Sequence, residues 1–177
     1  MDESLILQLI GSFPQIPGKK VFQKLCYFLQ EAEGARLGVR FRMKHYGPYS
    51  EELEAGLDDL AERRMVLVQG SSEEGFHISL PADPPAEPEE LSAENEAAIG
   101  RLQQHFHSDL NRGLTLELLA TLHLLSRGKS YSGEEKDKQR LIDEVRAWKG
   151  RKFAPSFVQQ QITRLEEMGY LVPSIVH

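Results

Sequence analysis

Ten residues of this chain, Pro81-Ala82-Asp83-Pro84-Pro85-Ala86-Glu87-Pro88-Glu89-Glu90, hold four prolines and four acids. Proline lacks the N–H that a helix interior or a central strand needs, so the stretch predicts an extended linker over residues 81–91. The fold must then be assembled from two segments, 1–80 and 92–177, expected to be two tightly associated winged-helix-like halves. With 40% hydrophobic and 27% charged residues in 177, the chain can bury a sizeable core.

In the first segment, Leu5, Ile6, Leu9, Ile10 and Phe13 share a helical face, and Pro14 with Pro17-Gly18 stops that helix. A second helix is predicted from about Lys20 to Glu33, on Val21, Phe22, Leu25, Phe28, Leu29 and Ala32. Val39, Phe41 and Met43 then alternate with Arg40, Arg42 and Lys44, the period of a strand with one buried and one cationic face. Gly47-Pro48 is expected to break this strand, and Ser50 to cap a third helix running to about Arg64. Met65–Val68, a turn over Ser71–Gly75 and Phe76–Leu80 read as a hairpin. This order resembles a winged-helix layout with the hairpin as wing, in which the helix before the wing usually enters DNA. Here that helix carries six acids against two arginines, and phosphate repulsion argues against such use.

In the second segment, a helix is expected from Ser92 through Leu110, closed by Gly113. The run Leu114–Leu125, capped by Thr115, is apolar nearly all round and predicts a buried helix. Lys129–Lys138 reads as a loop, and Leu141, Ile142, Val145 and Trp148 mark an amphipathic helix. Ser156 with Gln159 suggests a capping box for a last helix, followed by a short strand at Tyr170-Leu171-Val172. The expected class is α+β, mainly α: a winged-helix-like half, then a helical half ending like a helix-turn-helix.

The only cysteine, Cys26, rules out an intrachain disulfide. The acidic start Met1-Asp2-Glu3-Ser4 and the lack of an apolar run of about 18 residues point to a cytoplasmic protein with no membrane span. His105 and His107 stand two apart on a helix without a ligand partner, and His45 and His123 lack a neighbouring nucleophile. The glycines form no phosphate loop or dinucleotide fingerprint, so no cofactor, metal or catalytic residue is expected and an enzyme is the least supported class. Two signals remain. Arg40, Arg42 and Lys44 beside Tyr46 and Tyr49 suit a face that binds an acidic partner or nucleic acid; the alternative is a solvated strand face, or one that pairs with the acids of the following helix. Between Arg140 and Arg164, six basic residues outnumber two acids, and Arg146, Lys149, Arg151, Lys152, Gln160 and Arg164 are the candidate DNA contacts.

The segment from Lys20 to Val68 resembles the YwgA-like family of small bacterial and archaeal proteins. The resemblance rests on Lys19-Lys20-Val21-Phe22-Gln23-Lys24-Leu25-Cys26-Tyr27-Phe28 and on Tyr46-Gly47-Pro48-Tyr49-Ser50-Glu51-Glu52-Leu53. A weaker resemblance, through a similar helix followed by Tyr-Gly-Pro, is to the Panacea antitoxin domain. These resemblances imply a winged-helix-like architecture and a regulatory role, and they transfer no catalytic residue. The expectation is a non-enzymatic interaction or regulatory module that binds protein. The alternatives are a DNA-binding regulator using residues 140–164 and an antitoxin-like protein. Trp148, Phe153 or Phe157 left exposed would mark a homodimer face.

Overall fold

Helix α1 (Glu3–Gly11) starts where Asp2 accepts the Leu5 N–H at 3.0 Å, and it buries Leu5, Ile6, Leu7, Leu9 and Ile10. The computed structural model describes residues 1–71, 73, 75–86 and 89–173. Helix α2 (Lys19–Glu31) is buried at every position from Val21 to Leu29. Gln23 and Lys24 lie inside that run. Each large apolar side chain buried here contributes roughly 1.5–3 kcal/mol, so α2 is the organising element of the core.

From Ala35 to Met43 the side chains alternate inward and outward as the pattern predicts, yet only β1 (Arg42–Lys44) pairs as a strand. Upstream, the Gln30 side chain substitutes for a neighbouring strand, donating to the Val39 carbonyl at 2.8 Å and accepting its N–H at 3.3 Å. The expected break at Gly47-Pro48 is instead the return strand β2 (Gly47–Tyr49), antiparallel to β1 with Met43 opposite Pro48. Proline fits because, among the described residues, each of these strands pairs only with the other, leaving an edge that needs no donor. Ser50 caps α3 (Glu51–Glu62) by accepting the Leu53 N–H at 3.2 Å. Strands β3 (Leu67–Ser71) and β4 (Gly75–Ser79) form the second hairpin, and β4 also bridges to Ile16. The predicted turn between them lies partly outside the described residues.

The described part of the linker, 81–86 and 89–91, is neither helix nor strand. Ser92 caps α4 (Ala93–Phe106), which ends in a 3-10 turn at His107–Asp109. Gly113 does not close that helix but opens α5 (Gly113–Ser126), whose start at Arg112 has no side-chain cap, so Thr115 lies inside it. Its positions 116–123 are all buried, as expected. Helix α6 (Glu135–Lys149) buries Leu141, Ile142 and Val145, while Trp148 departs from that stripe and stands 53% exposed. Helix α7 (Pro155–Glu167) begins one residue before Ser156, because Pro155 is pre-set for the first helical turn; no capping box forms. The predicted strand at 170–172 is absent. The N–H groups of Tyr170 and Leu171 fold back onto the Leu165 carbonyl at 2.9 and 3.1 Å, and the Tyr170 ring stacks on Phe28.

The described chain is thus a mainly helical α+β fold with seven α-helices and two antiparallel hairpins. Buried residues of both segments form one apolar cluster, in which Phe28 of α2 packs on Phe106 of α4, ring centroids 4.7 Å apart. No described helix is long and apolar enough to cross a membrane.

Candidate functional site

The β1–β2 hairpin is pinned over α2 by side chains of α2 itself. Gln23 donates to the Ser50 carbonyl and accepts the Ser50 N–H, both at 2.9 Å, and the Lys24 ammonium donates to the Pro48 carbonyl at 2.7 Å. Burial lowers Lys24 to about 8, with the Lys149 and Lys20 charges adding to that and Glu117 opposing it. On its other side the hairpin rests on α5. Gly47, with φ of +85°, is the left-handed step of the turn, and a Cβ there would lie 2.8 Å from Thr121 Oγ1 and 3.4 Å from the Glu117 carbonyl. Gly47→Ala is expected to cost about 2 kcal/mol, from the left-handed backbone and the clash together, read as a lower urea midpoint at unchanged m.

Beneath the hairpin, Glu117 is the one acid in the α5 apolar run. One of its oxygens accepts Lys149 Nζ at 2.9 Å, and both accept Lys152 Nζ at 2.8 Å. Burial pushes the Glu117 carboxyl up, but the two lysine hydrogen bonds and charges outweigh it and hold it below its ordinary value. Lys149 also donates to the His45 carbonyl, so α5, the α6 terminus and the hairpin turn meet at a single carboxylate.

At the tip of the turn, the Tyr46 ring is 43% exposed, with Lys20 Nζ 3.4 Å and Lys152 Nζ 5.2 Å from its centroid. Beside it opens a cavity of about 360 Å³ between α2, the hairpin and α3. Phe22, Leu57 and the rings of Tyr46 and Tyr49 give it apolar walls, and Lys19, Lys20, Lys24 and Lys44 also line it.

The predicted partner-binding row is largely engaged with its own chain. Arg40 pairs with Glu52 at 3.3 Å, and Lys44 with Glu51 at 2.5 Å and with the Tyr49 ring. Tyr49 donates to Glu54, which, ahead of burial, pushes its hydroxyl up to about 12. Arg42 is exposed and makes no direct ion pair among the described residues. Three of the six predicted DNA residues are engaged within the fold. Lys149, its side chain 2% exposed, and Lys152 hold Glu117, and Arg164 is clamped on buried Asp109 and the His105 carbonyl. Arg146, Arg151 and Gln160 remain exposed.

The residues missing from the sequence-based candidates are Lys20, Lys24 and Glu117. Their signal was present: two lysines at helical spacing beside an aromatic core stripe, and a lone acid in an apolar run. Away from this cavity, His123 is buried with Nδ1 2.8 Å from the Tyr27 hydroxyl. No protein-family profile matches this chain, and no curated protein matches it with significance.

Proposed function

We propose that this chain is a non-enzymatic interaction module with a regulatory role, binding an acidic protein partner over the face formed by Tyr46 and Lys20, with Arg42 on the same hairpin. The observation that carries the reading is Tyr46: an exposed aromatic ring flanked by two lysines beside an apolar cavity. Buried aromatic and cationic anchors dominate binding energy at protein interfaces, and this ring is already held in place before a partner arrives. His123, engaged by Tyr27 within the core and not among the residues that line the cavity, supports a structural role for that histidine.

A random copolymer of glutamate and tyrosine serves as the acidic, aromatic probe. Binding that weakens at least about tenfold in Tyr46→Ala is the expected result. Binding that is unchanged in that variant would remove the reading. The DNA alternative is favoured by one observation, the exposed Arg146 and Arg151 near the start of α7. It requires affinity for mixed DNA fragments that falls steeply between about 50 and about 200 mM salt and is lost in the Arg146→Glu, Arg151→Glu double variant. Lys152 is unsuited to that test because reversing it would set a second acid against Glu117.

A further inference from the structure

We propose that the cavity between α2, the β1–β2 hairpin and α3 is a binding site for an amphipathic carboxylate, one carboxylate group carried on an apolar body. This deepens the interaction reading, on which it rests, by naming the chemistry that enters the site. At about 360 Å³ the cavity falls within the range of small-ligand sites, roughly 300–1,000 Å³.

Its charge balance points to an anion. Of the four lysines in its wall, Lys19 is answered by Asp58 at 2.8 Å and Lys44 by Glu51 at 2.5 Å. Lys20 and Lys24 have no carboxylate partner among the described residues: Lys20 lies over the Tyr46 ring, and Lys24 donates to a neutral carbonyl. The one acid in the wall, Glu54, is tied to the Tyr49 hydroxyl. Glu117, whose charge reaches Lys24, is already shared by Lys149 and Lys152. Lys20 and Lys24 stand four residues apart on α2, which puts both on its cavity side, and a buried cation without a counter-ion gains most from an entering negative charge.

The walls select the rest of the ligand. Phe22, Leu57 and two tyrosine rings favour an aromatic or short aliphatic body. No arginine is among the described lining residues, which disfavours phosphate, whose recognition typically uses a bidentate guanidinium. A free organic acid and the C-terminal carboxylate of a partner chain both present this chemistry.

The test is calorimetric titration of the full chain with 3-phenylpropionate, with its amide, and with a short peptide ending in phenylalanine as free acid or as amide. The expected result is saturable binding of 3-phenylpropionate, at least about tenfold weaker for the amide and for Lys24→Met. Lys20→Met, at an exposed position, must show the same loss if Lys24→Met fails to fold. Binding of the free-acid peptide as well supports the proposal and assigns the carboxylate to a partner's C-terminus. Binding of the small acid alone supports it and assigns a free metabolite. No saturable binding of any acid up to about 10 mM, or equal binding by acid and amide, overturns it. The Glu/Tyr copolymer reads the protein-partner proposal separately, so loss of copolymer binding with acid binding intact and loss of acid binding are distinct results.

Discussion

Glu117→Gln is expected to lower stability by about 3 kcal/mol or more, the largest effect of any single polar change in this protein, measured as the urea midpoint at constant m. The carboxylate is buried, and so is the Lys149 side chain that it holds; removing the charge leaves that ammonium desolvated with only an amide and a backbone carbonyl for company. The asymmetry is part of the prediction. Lys149→Met should cost less, because Glu117 keeps Lys152 on both oxygens. Lys152→Met should cost least, since that side chain is 29% exposed and recovers water when released. Replacing Glu117 and Lys149 together by apolar residues should recover much of the loss, as buried ion pairs are expensive to break and cheap to delete as a unit. If Glu117→Gln proved as stable as the parent, the carboxylate would not be the joint between α5, α6 and the hairpin. Removing Glu117 also removes the charge that raises Lys24, so Lys24 should titrate below its already lowered value.

The second large effect is acid-induced. Burial lowers His123 from 6.5 to about 4, within a ring of aromatic neighbours: Tyr27, Phe28 and Tyr170 have centroids 5.5, 5.8 and 6.2 Å away. Between those two values the unfolded chain binds a proton that the folded chain refuses. The stabilisation is therefore complete above about pH 6.5 and is lost as pH falls to about 4, a change of about 3 kcal/mol. His123→Gln retains an acceptor for the Tyr27 hydroxyl and has nothing to titrate. The stability difference between parent and variant should shift toward the variant over that pH window, and a constant difference would exclude His123 as the source. Glu117, held below its ordinary value, adds its own loss at lower pH, which is common to both proteins and cancels.

Much of the fold could be read from local pattern alone. The apolar spacing in Val21–Leu29, the Ser50 cap and the 67–79 hairpin each obey a rule that needs only near neighbours. The misreadings share a cause of another kind. Gly47-Pro48 reads as a strand breaker until Lys24, 24 residues earlier, is seen to accept the burden of holding the Pro48 carbonyl. Tyr170 to Val172 has β-forming composition, but Tyr170 is claimed by Phe28 and Glu33 from the other end of the chain. The candidate site shows the same division. Tyr46 announces itself as an aromatic in a tight turn. Lys24 and Glu117 are ordinary helix residues by sequence, and become special only because the hairpin covers one and the α6 terminus covers the other.

That dependence on distant partners bears on how the chain reaches this state. A mainly helical composition suggests rapid folding through neighbouring contacts, yet the innermost packing joins α2 to α5, and the Tyr27 hydroxyl meets His123 across 96 residues of chain. The entropy of closing so long a loop is lost before any of the α2–α5 contacts form, and high contact order slows folding whatever the secondary structure. Helix α2 is buried from Val21 to Leu29, partly by α5, so until α5 arrives the part of its apolar face that α5 covers stays exposed in the nascent protein. During synthesis that surface waits for the residues beyond the proline linker, and the chain is most open to capture by other proteins before its own second half is made.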